Sequence, residues 1–375
     1  MIHIVIGTKA QLIKMAPIMR KLQDKGIIYN YISTGQHKFT MDEIRDNFTL
    51  KNPDHILYNG RDITSIIQMF FWAINILLKV LFFKKKIFNN NNSNNNKSGI
   101  VLVHGDTFST LLGALMGKLA GLKVAHVESG LRSFNLFQPF PEELTRIATF
   151  WLADYMFCPG EIPLNNLKKF SKGKVKVNTH ANTLLDSLNF ALPAISNQDG
   201  VDIPNASNTS IEYGIVTLHR FENFQNKKAT EKVVEAVCAI AEKFPLLFIL
   251  HKPTQINLEK YNLLEKLKTH PKIELRPRYD YFKFIKLLIH AKFVVSDGGS
   301  NQEECFYLGK PVLLLRNVTE RCEGLGKNVI LSKFDSQIIE NFLLQVDSYA
   351  HSRVEITNKL LSPSEIIINE CQRYI

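Results

Sequence analysis

Apolar and polar residues alternate along the first half of the chain in blocks typical of strands joined by helices. IHIVIG is followed by the helical pattern AQLIKMAPIMRKLQDKG and then by a second apolar run, IIYNYISTG. The same type of run recurs in IVLVHGD, KVAHVES, YMFCPG and VKVNT. Short runs rich in Val and Ile, separated by helical periods, predict parallel strands with crossover helices.

A second series of the same kind begins near residue 211, and the polar segment 196–210 between the two series is a predicted linker. The pattern therefore predicts an N-terminal domain over 1–195 and a nucleotide-binding domain over 211–355. We expect residues 356–375 to form a helix that packs back on the N-terminal domain. The predicted fold class is α/β, with two Rossmann-like doubly wound domains that face each other across a cleft. In such sheets ligands bind beyond the carboxyl ends of the strands.

An insertion at 65–98 interrupts the first series. The segment 89–99 is rich in Asn, a composition that does not predict a packed core. The first part of the insertion, 65–86, is apolar almost all round and ends in three lysines. One interpretation is a core or subunit-interface helix, because Gln68, Asn75 and Lys79 break the apolar run. A second is peripheral contact with an anionic membrane surface, with aromatic residues in the headgroup region. Those aromatic residues are Phe70, Phe71, Trp72, Phe82 and Phe83. A third is a true membrane span, which would be topologically awkward between two strands of one sheet.

The amino-acid composition and charge limit the classes of ligand and partner to be considered. The chain has 375 residues, 45% of them hydrophobic and 22% charged, which is typical of a globular protein. The net charge of +11 favours an acidic ligand, whereas no zinc-finger spacing or RNA-binding aromatic signature supports nucleic acid. Five scattered cysteines without a CxxC pair predict neither a disulfide framework nor a zinc site, and they fit a cytoplasmic protein. The N-terminus reads as a strand, without a secretory signal.

Three carboxylates follow one another at predicted strand and helix ends. Asp106 lies in HGDT after His104, Glu128 lies in HVES, and Glu142 lies in PFPEELTR. Either glutamate could act only as negative charge at a helix N-terminus, but their grouping near Arg132 and Arg146 favours proton transfer, because grouped carboxylates shift one another's pKa values.

Glycine-rich and basic segments predict phosphate binding in both domains. In the first, Gly7 opens a turn before a helix that carries Lys9 and Lys14. In the second, TLHR supplies His219 and Arg220, and SDGGSNQEE forms a turn before another helix. A carboxylate there suits the two hydroxyls of a ribose. The candidate binding residues in these later segments are Gly298, Gly299, Ser300, Glu304, Arg316, Glu320 and Arg321.

Taken together, these motifs resemble the non-hydrolysing UDP-N-acetylglucosamine 2-epimerase family, whose two Rossmann-like domains form the GT-B arrangement. The similarity runs through the chain in order: GTKAQLIKMAP, TGQH, VHGDT, AHVESGLRS, PFPEELTR, NTLLDSL, TLHRFEN, DGGSNQEE, LGKPVLLLR and TER. The resemblance implies an isomerase that interconverts a UDP-HexNAc and its C2 epimer for surface polysaccharide synthesis. UDP is eliminated to leave 2-acetamidoglucal, then added back on the other face. It implies no cofactor, no metal and a homodimer.

By motif match, Asp106, Glu128 and Glu142 would serve the C2 proton and the leaving group, and His219 would assist at the diphosphate. The turn at Gly298 and the residues after it would hold the phosphates and the ribose. Two alternatives remain. A hydrolysing relative would release free ManNAc and UDP, and a GT-B glycosyltransferase at the membrane surface would transfer the sugar.

Three motifs depart from the family pattern. One is the second-domain PVHLNP, which reads HKPTQIN here, without a histidine at the matching place. The usual GTRPE reads Gly7-Thr8-Lys9-Ala10-Gln11, which removes an arginine and a carboxylate expected near the nucleotide. The usual DSGGIQEE reads DGGSNQEE, so that Gly298 stands at the phosphate-contacting serine position.

Overall fold

The chain folds into two compact units, Met1–Phe190 with Ile356–Ile375, and Ala191–Glu355. The computed structural model describes residues 1–37, 41–63, 66–88, 99–136, 141–170, 172–195, 212–354 and 362–374. The predicted linker at 196–210 and the Asn-rich segment at 89–98 lie outside the described residues, as does part of PFPEELTR.

The first unit is built on a seven-stranded sheet in the order β3-β2-β1-β4-β5-β6-β7, with every pairing parallel. Its strands are β1 (Ile2–Ile6), β2 (Tyr29–Ser33), β3 (His55–Ile56), β4 (Ile100–His104), β5 (Lys123–Val127), β6 (Tyr155–Cys158) and β7 (Val175–Asn178). Strands β1, β2 and β4 are buried along their whole length, as the continuous apolar runs predict for a sheet covered on both faces.

The second unit repeats this topology with six parallel strands in the order β10-β9-β8-β11-β12-β13. The strands are β8 (Gly214–Thr217), β9 (Leu246–Leu250), β10 (Ile273–Pro277), β11 (Phe293–Ser296), β12 (Val312–Leu314) and β13 (Val329–Leu331). In both sheets the strand order reverses beside the first strand, which is where doubly wound folds bind ligands. The predicted α/β class with two Rossmann-like domains is confirmed.

Helices connect successive strands and cover both sheets. In the first unit they are α1 (Lys9–Asp24), α2 (Met41–Asn47), α3 (Ile66–Ile87), α4 (Phe108–Leu119), α5 (Glu142–Leu152), α6 (Glu161–Asn166) and, running on across the boundary, α7 (Leu184–Ile195). In the second unit they are α8 (Phe221–Phe224), α9 (Lys227–Lys243), α10 (Lys252–Lys260), α11 (Leu264–Lys268), α12 (Tyr281–His290), α13 (Gly299–Leu308) and α14 (Ser336–Leu344). The chain ends with α15 (Pro363–Cys371).

The start of α1 shows what Gln11 does at the position where the family motif has a carboxylate. Thr8 and Gln11 form a capping box, and the Gln11 side-chain oxygen accepts from the N–H groups of Gly7 at 2.9 Å and Thr8 at 3.1 Å. Its amide group donates to the His104 carbonyl at 2.8 Å and to the Thr110 hydroxyl at 2.9 Å. Gln11 is buried, and it fastens α1 to the end of β4.

Helix α3 has one buried face and one exposed apolar face. Trp72, Ile76 and Val80 lie in the core of the first unit, and the Trp72 indole donates to the Thr34 carbonyl at 3.1 Å. The expectation that Trp72 belongs to an outer aromatic face is therefore wrong. α3 is the one helix among the described residues that is long and apolar enough to cross a membrane, by length and composition alone. Its inner face belongs to the apolar core of the first unit and packs against α4.

The outer face of α3 consists almost entirely of large apolar side chains. These exposed residues are Ile67, Phe70, Phe71, Ile74, Leu78, Leu81 and Phe82. At 100° per residue they span an arc of about 120°, and at 1.5 Å per residue a length of about 22 Å. Lys84, Lys85 and Lys86 follow them, also exposed.

Helix α15 returns the end of the chain to the first unit, where it packs against α1. The Ser364 N–H donates to the buried Asp186 carboxylate at 2.8 Å. Lys21 and Lys25 on α1 pair with Glu365 at 3.1 and 2.5 Å. The first unit is therefore made from two separate stretches of the sequence.

Candidate active site

The first unit places the predicted carboxylates at neighbouring element ends. Asp106 follows β4, Glu128 follows β5, and Glu142 is the first residue of α5. Because β4 and β5 are parallel neighbours, their carboxyl ends meet at one edge of the sheet. Pro141 is the N-cap of α5. The Thr145 hydroxyl lies 2.8 Å from the Glu142 carbonyl and also contacts the Asp106 carbonyl, which links α5 to the β4 loop.

Glu128 is the most constrained of the three carboxylates. Its φ of 64° lies in the left-handed region, which is uncommon for a residue other than glycine and often marks a functional site. The side chain is buried and contacts the Lys14 ammonium and the Asn182 amide. His104 Nε2 lies 3.6 Å from Glu128 Oε2. Lys14 thus belongs with the carboxylates rather than with the glycine turn that precedes α1.

Asp106 belongs to a second charged group in the same unit. Arg146 contacts the Asp106 carboxylate and lies 3.3 Å from Glu143, which also contacts Arg132. Burial raises the pKa of Glu143, but hydrogen bonds from Arg132 and the Ser133 N–H outweigh it and bring the pKa below its usual value. Glu143 is fully buried and remains charged, so that it orients both arginines.

Two buried histidines at this edge are neutral. Burial lowers the pKa of His104 to about 3 and that of His126 to about 4, although nearby Glu128 opposes the shift in both. His126 Nε2 lies 2.7 Å from the Gly105 carbonyl. A neutral imidazole at His104 adds no positive charge beside Glu128, whereas the Lys14 ammonium contacts this carboxylate directly.

In the second unit, Asp297 organises the end of β8. This fully buried carboxylate follows β11 and accepts from the N–H groups of His219 and Arg220 at 3.0 Å and from the Asn223 amide at 2.9 Å. The His219 ring stacks on His251 with the centroids 4.7 Å apart. Burial is the main cause that lowers the pKa of His219, with Asp297 opposing it. His219 is therefore presented as a half-exposed, neutral ring.

The predicted arginines of the second unit are held by carboxylates. Arg220 lies 2.9 Å and Arg316 3.2 Å from Glu320, and Arg321 lies 2.9 Å from the fully buried Glu303. Burial raises the pKa of Glu320, but Arg220 and Arg316 outweigh it and lower the pKa to about 2. These pairs fix guanidinium groups near the turn after β11.

That turn leads directly into α13, whose N-cap is Gly298. The first N–H groups of a helix have no partner within it, and the helix dipole favours an anion there. The Gly298 N–H already has a partner outside the helix, because it donates to the Ser296 hydroxyl at 3.0 Å. Ser300 lies in the first turn and Glu304 one turn further, where Glu304 is buried.

The structure thus brings the predicted residues into a carboxylate group in the first unit and an arginine and glycine group in the second. Lys9, the first residue of α1, is half-buried and is not among the contacts described above. Sequence reasoning missed the residues that hold these groups in place. They are Glu143, Asn182, Asp297 and Glu303. Asn182 and Asp297 lie inside the motifs NTLLDSL and DGGSNQEE. Glu143 directly follows the predicted Glu142, and Glu303 directly precedes the predicted Glu304. Among the described residues, no group of three or more His, Cys, Asp or Glu side chains is placed to hold a metal ion.

Comparison with known proteins gives a consistent result. Residues 20–359 match the sequence profile of the family described as UDP-N-acetylglucosamine 2-epimerase. A UDP-N-acetylglucosamine 2-epimerase of Methanocaldococcus jannaschii is 32% identical over 348 residues, which cover 90% of each chain. The structure resembles the UDP-GlcNAc 2-epimerase of Neisseria meningitidis bound to UDP-GlcNAc, with a TM-score of 0.81, 27% identity and 99% of each chain covered. It also resembles the M. jannaschii enzyme in complex with UDP-GlcNAc and UDP, with a TM-score of 0.78, 28% identity and 99% coverage of each chain.

Proposed function

This chain belongs to the UDP-N-acetylglucosamine 2-epimerase family, and from that premise we propose that it interconverts UDP-GlcNAc and its C2 epimer UDP-ManNAc. Support comes from the carboxylates at the ends of β4 and β5 and from the anion-binding features of the second unit. The similar structures of N. meningitidis and M. jannaschii hold UDP-GlcNAc. The product would supply surface polysaccharide synthesis.

The reaction consists of an elimination and its reversal. A carboxylate takes the proton from C2 of the sugar, the C–H electron pair forms a C1–C2 double bond, and the C1–O bond breaks with its pair on UDP. Return of a proton to the opposite face of C2, with re-addition of UDP to C1, gives the epimer. Asp106, Glu128 and Glu142 are the groups we assign to the C2 proton and the leaving group. Lys14 and Arg146, each in contact with one of these carboxylates, hold Glu128 and Asp106 in position.

The second unit holds the nucleotide in this proposal. The N-terminus of α13 carries partial positive charge that suits the diphosphate, and Arg220, Arg316 and Arg321 add fixed guanidinium groups. His219 stands at the end of β8, beside the strand-order reversal, and assists at the diphosphate. Stabilising negative charge on the departing UDP lowers the barrier to C1–O cleavage.

The observation that carries the proposal is the buried, strained Glu128 paired with Lys14 at a strand end. The experiment is incubation of the protein with UDP-GlcNAc in D2O, followed by NMR of the sugar. Epimerisation through a glycal places deuterium at C2 in both epimers. Free ManNAc with UDP would identify the hydrolysing alternative. Absence of exchange with UDP-GlcNAc and with other UDP-HexNAc sugars would contradict epimerisation and leave glycosyl transfer as the alternative.

We also propose that a second copy of the chain covers the outer face of α3, which makes the protein a homodimer. An apolar surface of this size is unusual on a soluble monomer. The five cysteines carry no disulfide, which supports a cytoplasmic location. Light scattering should give twice the chain mass, and the double substitution Phe71→Ser with Leu78→Ser should give the monomer mass. Leu344→Ser, at an exposed apolar position in the second unit, is the matched control. A monomeric wild type that sediments with anionic vesicles at low salt would instead identify peripheral membrane contact through 65–86.

A further inference from the structure

Asn301, in the first turn of α13, connects the turn after β11 with the Glu304 carboxylate. Its side-chain amide donates to Glu304 Oε2 at 3.0 Å, and its side-chain oxygen lies 3.3 Å from the Ser296 hydroxyl. The same hydroxyl accepts from the Gly298 N–H at 3.0 Å. A hydroxyl can accept one hydrogen bond and donate another. The hydrogen bonds therefore run without a break from the backbone of the turn, through Ser296 and Asn301, to the carboxylate.

Gly298 explains why Asn301 can lie where it does. A Cβ atom at position 298 would be 2.6 Å from Asn301 Oδ1 and 3.0 Å from Cε1 of His219. The first distance is shorter than real Cβ contacts, so a side chain at 298 and Asn301 in its present position exclude each other. DGGSNQEE differs from the family's DSGGIQEE at three positions, Gly298, Ser300 and Asn301. Two of these departures, Gly298 and Asn301, are therefore coupled in this chain.

We propose that Asn301 is a positioning residue for nucleotide binding, which orients Glu304 toward the vicinal hydroxyls of the ribose and occupies the space that the absent side chain at 298 leaves. The inference rests on the proposed binding of UDP by the second unit. Glu304 is buried, so the orientation of its carboxylate depends on the hydrogen bonds it accepts. Each carboxylate oxygen accepts two hydrogen bonds, so Oε2 can accept from Asn301 and still accept from a hydroxyl.

The type of residue at 301 fits this role. An amide donates to the carboxylate without adding charge and accepts from Ser296 at its other end. An aspartate of the same shape would place a second negative charge against Glu304, and leucine would remove the donor while keeping a similar volume. These two substitutions therefore separate the hydrogen bond from the packing.

The test measures dissociation constants of UDP and of 2′,3′-dideoxy-UDP by calorimetry, since the second ligand lacks both ribose hydroxyls. Wild type should bind UDP more tightly than the dideoxy compound. Asn301→Leu should weaken UDP binding by about 10-fold, the usual effect of losing a hydrogen bond to a charged group, and leave the binding of the dideoxy compound unchanged. Asn301→Asp should weaken UDP binding further. Asn341→Leu, an exposed asparagine on α14, should leave both constants unchanged.

If Asn301 had a purely structural role, its substitution would weaken the binding of both ligands equally. A retained preference for UDP in both Asn301 variants would overturn the proposed role of Asn301 without affecting the proposed nucleotide site. Equal binding of both ligands by wild type would overturn the assignment of Glu304 to the ribose as well. Deuterium exchange at C2 tests the epimerase proposal separately. Gly298→Ser should weaken UDP binding more in the wild-type background than in Asn301→Ala, and additive effects would contradict the coupling of the two positions.

Discussion

The two units use buried ion pairs in opposite ways. In the first, the proposed reacting groups are carboxylates, and the cations Lys14 and Arg146 hold them. In the second, the proposed ligand-binding groups are arginines, and the carboxylates Glu303 and Glu320 hold them. The same pairing therefore supports proton transfer where the carboxylate is the functional partner and anion binding where the guanidinium is. Four substitutions test this contrast.

The largest effect is expected from Glu128→Gln in the first unit. The amide keeps the shape of the side chain but cannot take a proton from C2, and loss of a general base typically costs 10²–10⁴-fold. We expect C2 exchange to fall by about 10³-fold, while the affinity for UDP, which we assign to the second unit, stays unchanged. Glu161→Gln, at an exposed carboxylate on α6, is the control. An exchange rate within a few-fold of wild type would remove Glu128 from the chemistry.

Arg321→Met should lower stability as well as remove one of the guanidinium groups proposed to bind the diphosphate. It leaves the buried Glu303 carboxylate without the guanidinium 2.9 Å away, and breaking a buried pair on one side typically costs about 3–5 kcal/mol. Urea unfolding measures the loss. The exposed Lys227, 3.7 Å from Glu231, provides the comparison, since Lys227→Met should cost less than about 1 kcal/mol. Equal costs at the two sites would mean that Glu303 is not held as a charge.

A smaller, pH-dependent effect is expected at Glu320. Its pKa of about 2 in the fold lies below the usual 4.5, so the stability it contributes is present above pH 4.5 and is lost as the pH falls toward 2. We expect Glu320→Gln to lower the unfolding free energy by on the order of 2 kcal/mol at pH 6. The difference from wild type should shrink between pH 4.5 and pH 3. A difference that is constant with pH would show that packing, not charge, is responsible.

The smallest effect is expected from Gln11→Glu, which restores the residue type of the family motif. The carboxylate keeps the two bonds from the Gly7 and Thr8 N–H groups. It cannot donate to the Thr110 hydroxyl, but that hydroxyl can donate to it instead. The donor to the His104 carbonyl is lost, at a cost of about 1 kcal/mol. UDP affinity should not change, because Gln11 is buried in the cap of α1. Tighter UDP binding would place this side chain at the nucleotide after all.

Much of this arrangement could be predicted from the sequence, because the periodicity of apolar residues marks strands and their ends. Asp106, Glu128 and His219 each follow an apolar run, and parallel strands bring such positions to one edge. What holds these residues could not be predicted. Whether Glu142 or Glu143 turns inward depends on the rotation of α5, and the contact of Lys14 with Glu128 joins positions 114 residues apart.

Helix α3 shows the same limit at a larger scale. Its composition indicates an apolar helix, but which side chains face the sheet depends on where the helix lies. Trp72 lies inward and Phe71 outward although they are neighbours in sequence. The coupling between Gly298 and Asn301 likewise could not be predicted from the motif, because it depends on an interatomic distance.

The return of α15 to the first unit has a consequence for synthesis. A ribosome makes the chain from its N-terminus, and domains generally fold as units during synthesis. The second unit is contained in one continuous stretch, so it can finish folding while the first still lacks the helix that packs on α1 and caps Asp186. A nascent chain from which α15 has not yet emerged would therefore carry a folded second unit and an incomplete first unit. Enzyme activity would begin only when α15 leaves the ribosome and packs on α1.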